Sequence, residues 1–170
     1  MLTVQEIIQT LDLHPHPIEG GYFREIYRSH AVIPVGAGLA GYASSAARSL
    51  ATSIYYLLTP DTFSELHRLP TEELFHLYLG GPLQMLQLHP DGTGKEWTLG
   101  VDLSAGQRPQ LVVPAGVWQG SWLQPGIEFA LLGATMSPGF DYEDYERGRR
   151  DELVARYPAF AERIRRLTRI

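Results

Sequence analysis

The chain predicts a mainly all-β domain, a closed barrel or sandwich with short helices at its ends. Three observations carry that expectation. Eight short β-branched or aromatic runs recur between residues 52 and 135, turn-forming Pro, Gly and Asp separate them, and no helical period interrupts them.

The first element is a helix. Thr3 and Glu6 form a T-x-x-E capping box ahead of Ile7, Ile8 and Leu11, and the helix should end before His14-Pro15-His16-Pro17. Residues 21–28, GYFREIYR, alternate as a strand with Tyr22, Arg24, Ile26 and Arg28 on one face and Phe23, Glu25 and Tyr27 on the other. Such a mixed strand suits an interface or a pocket wall. Residues 34–49 are rich in Gly, Ala and Ser and read as the mobile segment. Runs at 52–58, 62–67, 73–80, 83–88, 96–101, 110–113, 117–123 and 127–135 supply the barrel strands. After Ser137-Pro138-Gly139 the pattern changes to two helices, 141–156 and 158–168, split by Pro158 at a first-turn position. One domain over 1–170 is expected, its barrel over about 21–136 and its helical segment over 141–168.

Composition narrows the function. A chain of 170 residues can bury about two-thirds of its unfolded surface without a covalent staple. It has no cysteine, which removes disulfides, thiolate metal sites and thiol nucleophiles and fits a reducing, cytoplasmic setting. The start MLTVQEII does not read as a secretory signal, and the long uncharged runs 29–47 and 109–127 are too broken by Gly and Pro to span a membrane. Charge is uneven: residues 1–146 carry 6 basic and 16 acidic side chains, whereas 147–170 carry 8 arginines against Asp151, Glu152 and Glu162. Phe160, Ile164 and Leu167 make the tail an amphipathic docking helix, with no interleaved aromatics to stack bases, so no nucleic-acid partner is expected. Asp141, Glu143, Asp144 and Glu146 read as helix N-terminal charges. No phosphate loop, nucleophile elbow or HExxH motif is present.

The segment HRLPTEELFHLYLG at 67–80, with PAGVWQ at 114–119, resembles the two-part signature of the cupin superfamily. The segments HPHPIEGGYFREIYRS, TSIYYLL, PQLVVPAGVWQGSW and SPGFDYEDYE extend the resemblance to a branch of small single-domain cupins with no established function. The resemblance implies a jelly-roll barrel. In the usual pattern three histidines and a glutamate hold a metal. Here His67 and Glu73 match, while Leu69 and Gln119 stand at two histidine positions, so the metal prospect is a weakly bound divalent ion on His67, Glu73 and Gln119, and no cofactor is certain.

Strand parity then sets the expected pocket. With Glu73 inward, Phe75, Leu77 and Leu79 follow it and Leu74, His76 and Tyr78 point away; with Gln119 inward, Ser121 and Leu123 follow, leaving Trp118 and Trp122 outside. His67 and Glu73 are the catalytic candidates; Tyr22, Arg24, Phe75, Gln119 and Ser121 are the ligand-binding ones. Arg24 or Arg28 can grip a phosphate or carboxylate, or simply pair with a nearby acid. His14, His16 and His30 give only a weak second metal prospect, because the prolines alternate the HPHP imidazoles.

The wider resemblance to sugar-nucleotide epimerases implies an isomerase-like reaction with His67 as base, Glu73 orienting it, and Gln119 or Tyr22 across the pocket. A non-catalytic binding or sensing module is the alternative; a metal-dependent dioxygenase is disfavoured by Leu69 and Gln119. A small-molecule ligand is expected, and a homodimer, since strand 21–28 has apolar groups on both faces.

Overall fold

A computed structural model describes residues 2–36, 41–42 and 46–169. Thr3 caps helix α1 (Val4–Leu11), its hydroxyl accepting from Glu6 N at 3.2 Å while the Glu6 carboxylate accepts from Thr3 N at 2.8 Å. This is the expected capping box. Asp12 closes the helix in the left-handed region at φ 50, and Ile7 packs with Leu13, Leu57 and Leu131.

The strands are β1 (His14–Pro15), β2 (Tyr22–Arg28), β3 (Val32–Pro34), β4 (Ala47–Ser49), β5 (Thr52–Leu58), β6 (Phe63–Arg68), β7 (Glu73–Gly80), β8 (Leu83–Leu88), β9 (Gly94–Leu99), β10 (Gln110–Val113), β11 (Trp118–Leu123), β12 (Ala130–Met136) and β13 (Glu146–Arg147). They form a six-stranded sheet in the order β1-β2-β5-β12-β7-β10 and a five-stranded sheet in the order β13-β6-β11-β8-β9, with β3 and β4 as a separate hairpin. The fold is therefore mainly β, as expected. Much of the mobility expected of 34–49 concerns residues 37–40 and 43–45, which lie outside the described residues.

The two sheets enclose an apolar core that includes Tyr56, Leu58, Phe75, Met85, Val113 and Leu132. Burying each such side chain contributes about 1.5–3 kcal/mol. The outer face of the five-stranded sheet is covered by α2 (Arg150–Arg156) and α3 (Ala161–Arg166), whose Leu153, Tyr157 and Ile164, with Leu167, meet Leu66, Leu86, Leu88, Trp118 and Trp122. Trp118 and Trp122 thus point away from the interior. Most of the tail arginines are exposed, as expected, and two of them, Arg163 and Arg166, also lie over the Trp122 ring at 5.4 and 5.5 Å.

The C-terminal segment requires a correction. Instead of a helix over 141–156, residues Tyr142–Asp144 make one 3-10 turn and Glu146–Arg147 pair with β6 before α2 begins at Arg150. The acidic residues are drawn to partners across the fold. Asp144 takes Arg48 at 2.7 and 2.8 Å, and Glu146 takes Arg68 at 2.7 and 2.9 Å, so only Asp141 caps a turn, accepting from Glu143 N.

Three irregularities decide which side chains face inward. A bulge in β2 between Glu25 and Tyr27 adds a residue, so Arg28 joins Glu25 on the cavity side of the strand. Another, where β12 passes β7, shifts the register between Leu131 and Leu132; Leu77 still packs on the core, but Leu79 turns outward and is 46% exposed. The expected inward position of Leu79 is thereby overturned, because a bulge reverses the two-residue alternation. In the third, Gln119 pairs with His67 while Ser121 pairs with Ser64, and the extra residue in β6 lets His67 and Ser64 share the inner face.

Candidate functional site in the barrel

A cavity of about 70 Å³ lies between the sheets. Its polar lining comes from two directions. His67 on β6 and Glu73 at the start of β7 enter from the barrel, whereas His16 and Glu19 enter from the connection between β1 and β2. Gly20 and Gly21, at φ 106 and 71, turn that connection inward; a Cβ on Gly20 would collide with the Phe63 carbonyl.

The hydrogen bonds set the chemistry. His67 Nδ1 lies 2.7 Å from Glu65 O, so in the neutral ring Nδ1 donates and Nε2 carries the lone pair. Gln119 Nε2 approaches that lone pair at 3.4 Å and donates to Glu73 Oε2 at 2.5 Å. His16 Nδ1 accepts from Glu19 N at 2.9 Å, which leaves Nε2 as the donor of its neutral ring. Glu19 stands between the imidazoles, with Oε2 4.0 Å from His67 Nε2 and 4.0 Å from His16 Nε2, and its other oxygen accepts from Ser64. Tyr145 stacks on His67 with ring centroids 4.8 Å apart.

Burial pushes the Glu73 carboxyl up to about 8; the neighbouring Glu19 charge adds to the rise and the Gln119 hydrogen bond opposes it. For His16, burial depresses the pKa, with Glu19 opposing and His67 and Arg169 reinforcing. Burial also holds the Tyr145 phenol well above its ordinary value.

The structure brings His67, Glu73 and Gln119 together. Phe75 and Ser121 point inward but away from the cavity: Phe75 belongs to the apolar core, and Ser121 pairs with Ser64 and Met85. Tyr22 and Arg24 sit elsewhere. Tyr22 packs beside α1 on the outer side of the six-stranded sheet, and Arg24 reaches Leu11 O at 3.2 Å and Asp12 at 3.5 Å. They occupy the face of β2 opposite Phe23 and Glu25, so strand alternation keeps both out of the cavity. Arg28 does line it, yet its guanidinium is spent on Glu25 at 2.7 and 2.9 Å and on Phe140 O at 3.1 Å.

His16 and Glu19 are the residues that sequence reasoning missed. The HPHP prolines were expected to keep the histidines apart, and they do: His14 is exposed beside Asp12 while His16 turns inward. The available signal was the Gly20-Gly21 pair directly after Glu19.

As they stand, these residues do not fit a metal. Gln119 turns an N–H, not a lone pair, toward both His67 and Glu73, Leu69 presents methyls at a histidine position, and among the described residues no group of three or more His, Asp or Glu is arranged to hold an ion.

A two-sheet jelly roll with a buried polar cluster behind its first motif strand defines a cupin. The chain belongs to the cupin superfamily, in the group described as DUF985, whose sequence model matches residues 5–147. It is 36% identical over 151 residues to the uncharacterized yeast protein YML079W of Saccharomyces cerevisiae, covering 84% of this chain and 74% of that one. Among solved structures, a hypothetical protein from Leishmania major superposes with TM-score 0.88 at 29% identity, covering 99% of this chain and 100% of that one. Protein SO0799 from Shewanella oneidensis superposes with TM-score 0.84 at 35% identity, covering 99% of each chain. Bacillus subtilis oxalate decarboxylase, at 15% identity, TM-score 0.52 and with 92% of this chain on 37% of that one, shares the fold alone. Among the described residues no helix is long and apolar enough to cross a membrane.

Proposed function

We propose that the protein binds a small polar metabolite in the barrel and transfers a proton on it, as an isomerase or epimerase does. The observation that carries this reading is the convergence of His16, Glu19, His67 and Glu73 on one cavity, where Glu73 is pushed up to about 8. A carboxyl that keeps its proton near neutrality beside an imidazole whose inward lone pair meets only a long 3.4 Å approach from the Gln119 amide supplies an acid and a base together. His67 is the base, with Glu19 Oε2 4.0 Å from its Nε2, and Glu73 is the acid.

Size bounds the substrate. A cavity of about 70 Å³ has room for about five waters, so it encloses the reacting end of a ligand and not a whole sugar nucleotide. The remainder of a larger ligand would occupy the open polar groove of about 830 Å³ that Leu69 also borders.

Solvent exchange tests the reaction. Incubated in D2O with dihydroxyacetone or a deoxy-ketose, the parent should wash deuterium into the carbon next to the carbonyl, and His67→Ala and Glu73→Gln should abolish it. Exchange that persists in both variants removes the assignment. Failure of any sugar-like carbonyl compound to exchange favours the second reading, a binding module. That reading draws support from the Gln119 N–H, which already covers the His67 lone pair at 3.4 Å.

A homodimer remains part of the proposal. Leu2, Ile26, Tyr78 and Leu79 border an apolar groove on the outer side of the six-stranded sheet, a surface that a second copy would cover. Sedimentation at micromolar concentration should give twice the chain mass; a monomer refutes it.

A further inference from the structure

We infer that the group buried in the barrel cavity is an uncharged or cationic hydrogen-bond donor, an alcohol or an amine, and that carboxylate and phosphate groups are excluded from it. This rests on the cavity being the ligand site, and it does not require that any reaction occur there.

The polar wall offers mostly acceptors. Glu19 Oε2 stands 4.0 Å from both imidazole Nε2 atoms and His67 turns a lone pair inward because its Nδ1 is held by Glu65 O at 2.7 Å, while Glu73 Oε2 is already taken by the Gln119 N–H. Positive charge is scarce. Arg28, the arginine at the wall, is neutralised by Glu25 at 2.7 Å and gives two further N–H groups to Phe140 O. His16 adds one ring donor, already directed at Glu19, and burial disfavours its cationic form. Tyr142, at the rim, is half exposed. Behind the wall, Arg147 and Arg169 lie 3.3 and 4.0 Å from the buried Glu65 and serve that carboxylate instead. Tyr145, stacked on His67, keeps its proton.

An anion entering this space would lose its hydration, meet the Glu19 charge and find, among the described residues, no free cation. An ammonium or hydroxyl meets the Glu19 carboxylate oxygen that stands between the two imidazoles. The rest of the lining, Phe23, Ile54, Leu69, Ala134, Met136 and Phe140, is apolar and suits a short hydrocarbon stem on the same ligand.

Three probes of one shape separate these chemistries: isobutylamine, isobutanol and isobutyrate, each titrated at pH 7 into the full chain labelled with ¹³C at methionine methyls. Met136 lines the cavity and reports entry. The expected result is a saturable Met136 shift with the amine and the alcohol, and binding at least ten-fold weaker with isobutyrate. Isobutyrate binding as tightly as either overturns the inference, and so does the absence of a Met136 shift with all three. In Glu19→Gln the amine-to-isobutyrate gap should shrink several-fold; an unchanged gap in a folded variant removes Glu19 as its cause and overturns the electrostatic argument. The proton-transfer reading fails separately. Amine and alcohol binding with no solvent exchange on any carbonyl compound leaves the ligand class standing, whereas exchange on a substrate whose buried end is anionic refutes the class and keeps the reaction.

Discussion

The Gln119 amide nitrogen lies 2.5 Å from Glu73 Oε2, joining β11 of the five-stranded sheet to β7 of the six-stranded sheet across the barrel. The same nitrogen is 3.4 Å from His67 Nε2. One amide therefore addresses both candidate catalytic groups. As placed, its N–H groups satisfy two acceptors; rotated by half a turn, its oxygen would accept from a protonated Glu73 and a protonated His67. In the first orientation a protonated Glu73 still accepts through its carbonyl oxygen, so the amide is compatible with Glu73 as acid beside His67 as base.

Removing the amide should raise the Glu73 pKa above its value of about 8, because the Gln119 hydrogen bond is the influence that lowers it. Gln119→Leu keeps similar bulk, so the effect isolates the donor. A carboxyl-¹³C titration reads it. A fall in the Glu73 pKa would contradict the assigned hydrogen bond. The variant should also lose about 1–3 kcal/mol of stability, the cost of leaving a buried polar group unpaired.

A raised carboxyl makes stability depend on pH with a definite sign. Between the ordinary value of 4.5 and about 8 the folded chain holds the Glu73 proton while the unfolded chain releases it. The contribution is present in full below 4.5 and is lost as pH rises through about 8, amounting to at most about 5 kcal/mol. The parent should therefore lose more thermal stability between pH 5 and pH 8 than Glu73→Gln does. Parallel melting curves for the two would mean that Glu73 ionises as an ordinary glutamate.

Glu19→Gln should lower two pKa values together. Glu73 loses a like charge that pushes it up, and His16 loses an opposite charge that supports its cation. NMR titration of both sites in one sample decides this. Movement of either pKa upward would place Glu19 away from the cluster.

What was legible in the sequence follows a physical divide. Runs such as Thr52–Leu58, Glu73–Gly80, Leu83–Leu88 and Gln110–Val113 match their expected bounds because alternation and turn residues are local signals. His67, Glu73 and Gln119 were findable because the motif spacing fixes their inward parity. His16 and Glu19 were not, since their inward turn depends on Gly20 and Gly21 bringing the connection against Phe63. Leu79 and Arg28 changed faces for another reason: a bulge forms between paired strands, and no single strand announces it. The segment after Ser137 was misread because Asp144 and Glu146 find arginines far away in sequence, a tertiary preference that helix-end charge rules do not contain.

Those two arginine pairs should differ sharply in value. Arg48 and Asp144 are 9% and 7% exposed at their side chains, whereas Arg68 and Glu146 are 37% and 55% exposed. Asp144→Asn leaves the buried Arg48 guanidinium only the exposed Glu143 carboxylate at 3.4 Å and should cost about 3–5 kcal/mol. Glu146→Gln leaves its partner in water, still over the Trp118 ring, and should cost under about 1 kcal/mol. Urea denaturation of both variants measures the contrast. Equal losses would show that burial does not set the worth of these pairs.

A gain of metal affinity tests the motif register most directly. Leu69 borders the cavity with His67 and Glu73, and Gln119 already touches both. Leu69→His with Gln119→His replaces methyls and an N–H donor by two imidazole lone pairs, which raises the donor set to three histidines and one glutamate. Calorimetric titration with zinc or nickel should then show clearly tighter binding than in the parent. Chelation should strip the ion without unfolding the barrel, because its core of Leu58, Phe75, Met85 and Leu132 forms without one. Equal, weak binding by both proteins would mean that positions 69 and 119 do not converge with His67 and Glu73 on a single point, and the alignment of this barrel to the four-ligand pattern would have to be redrawn.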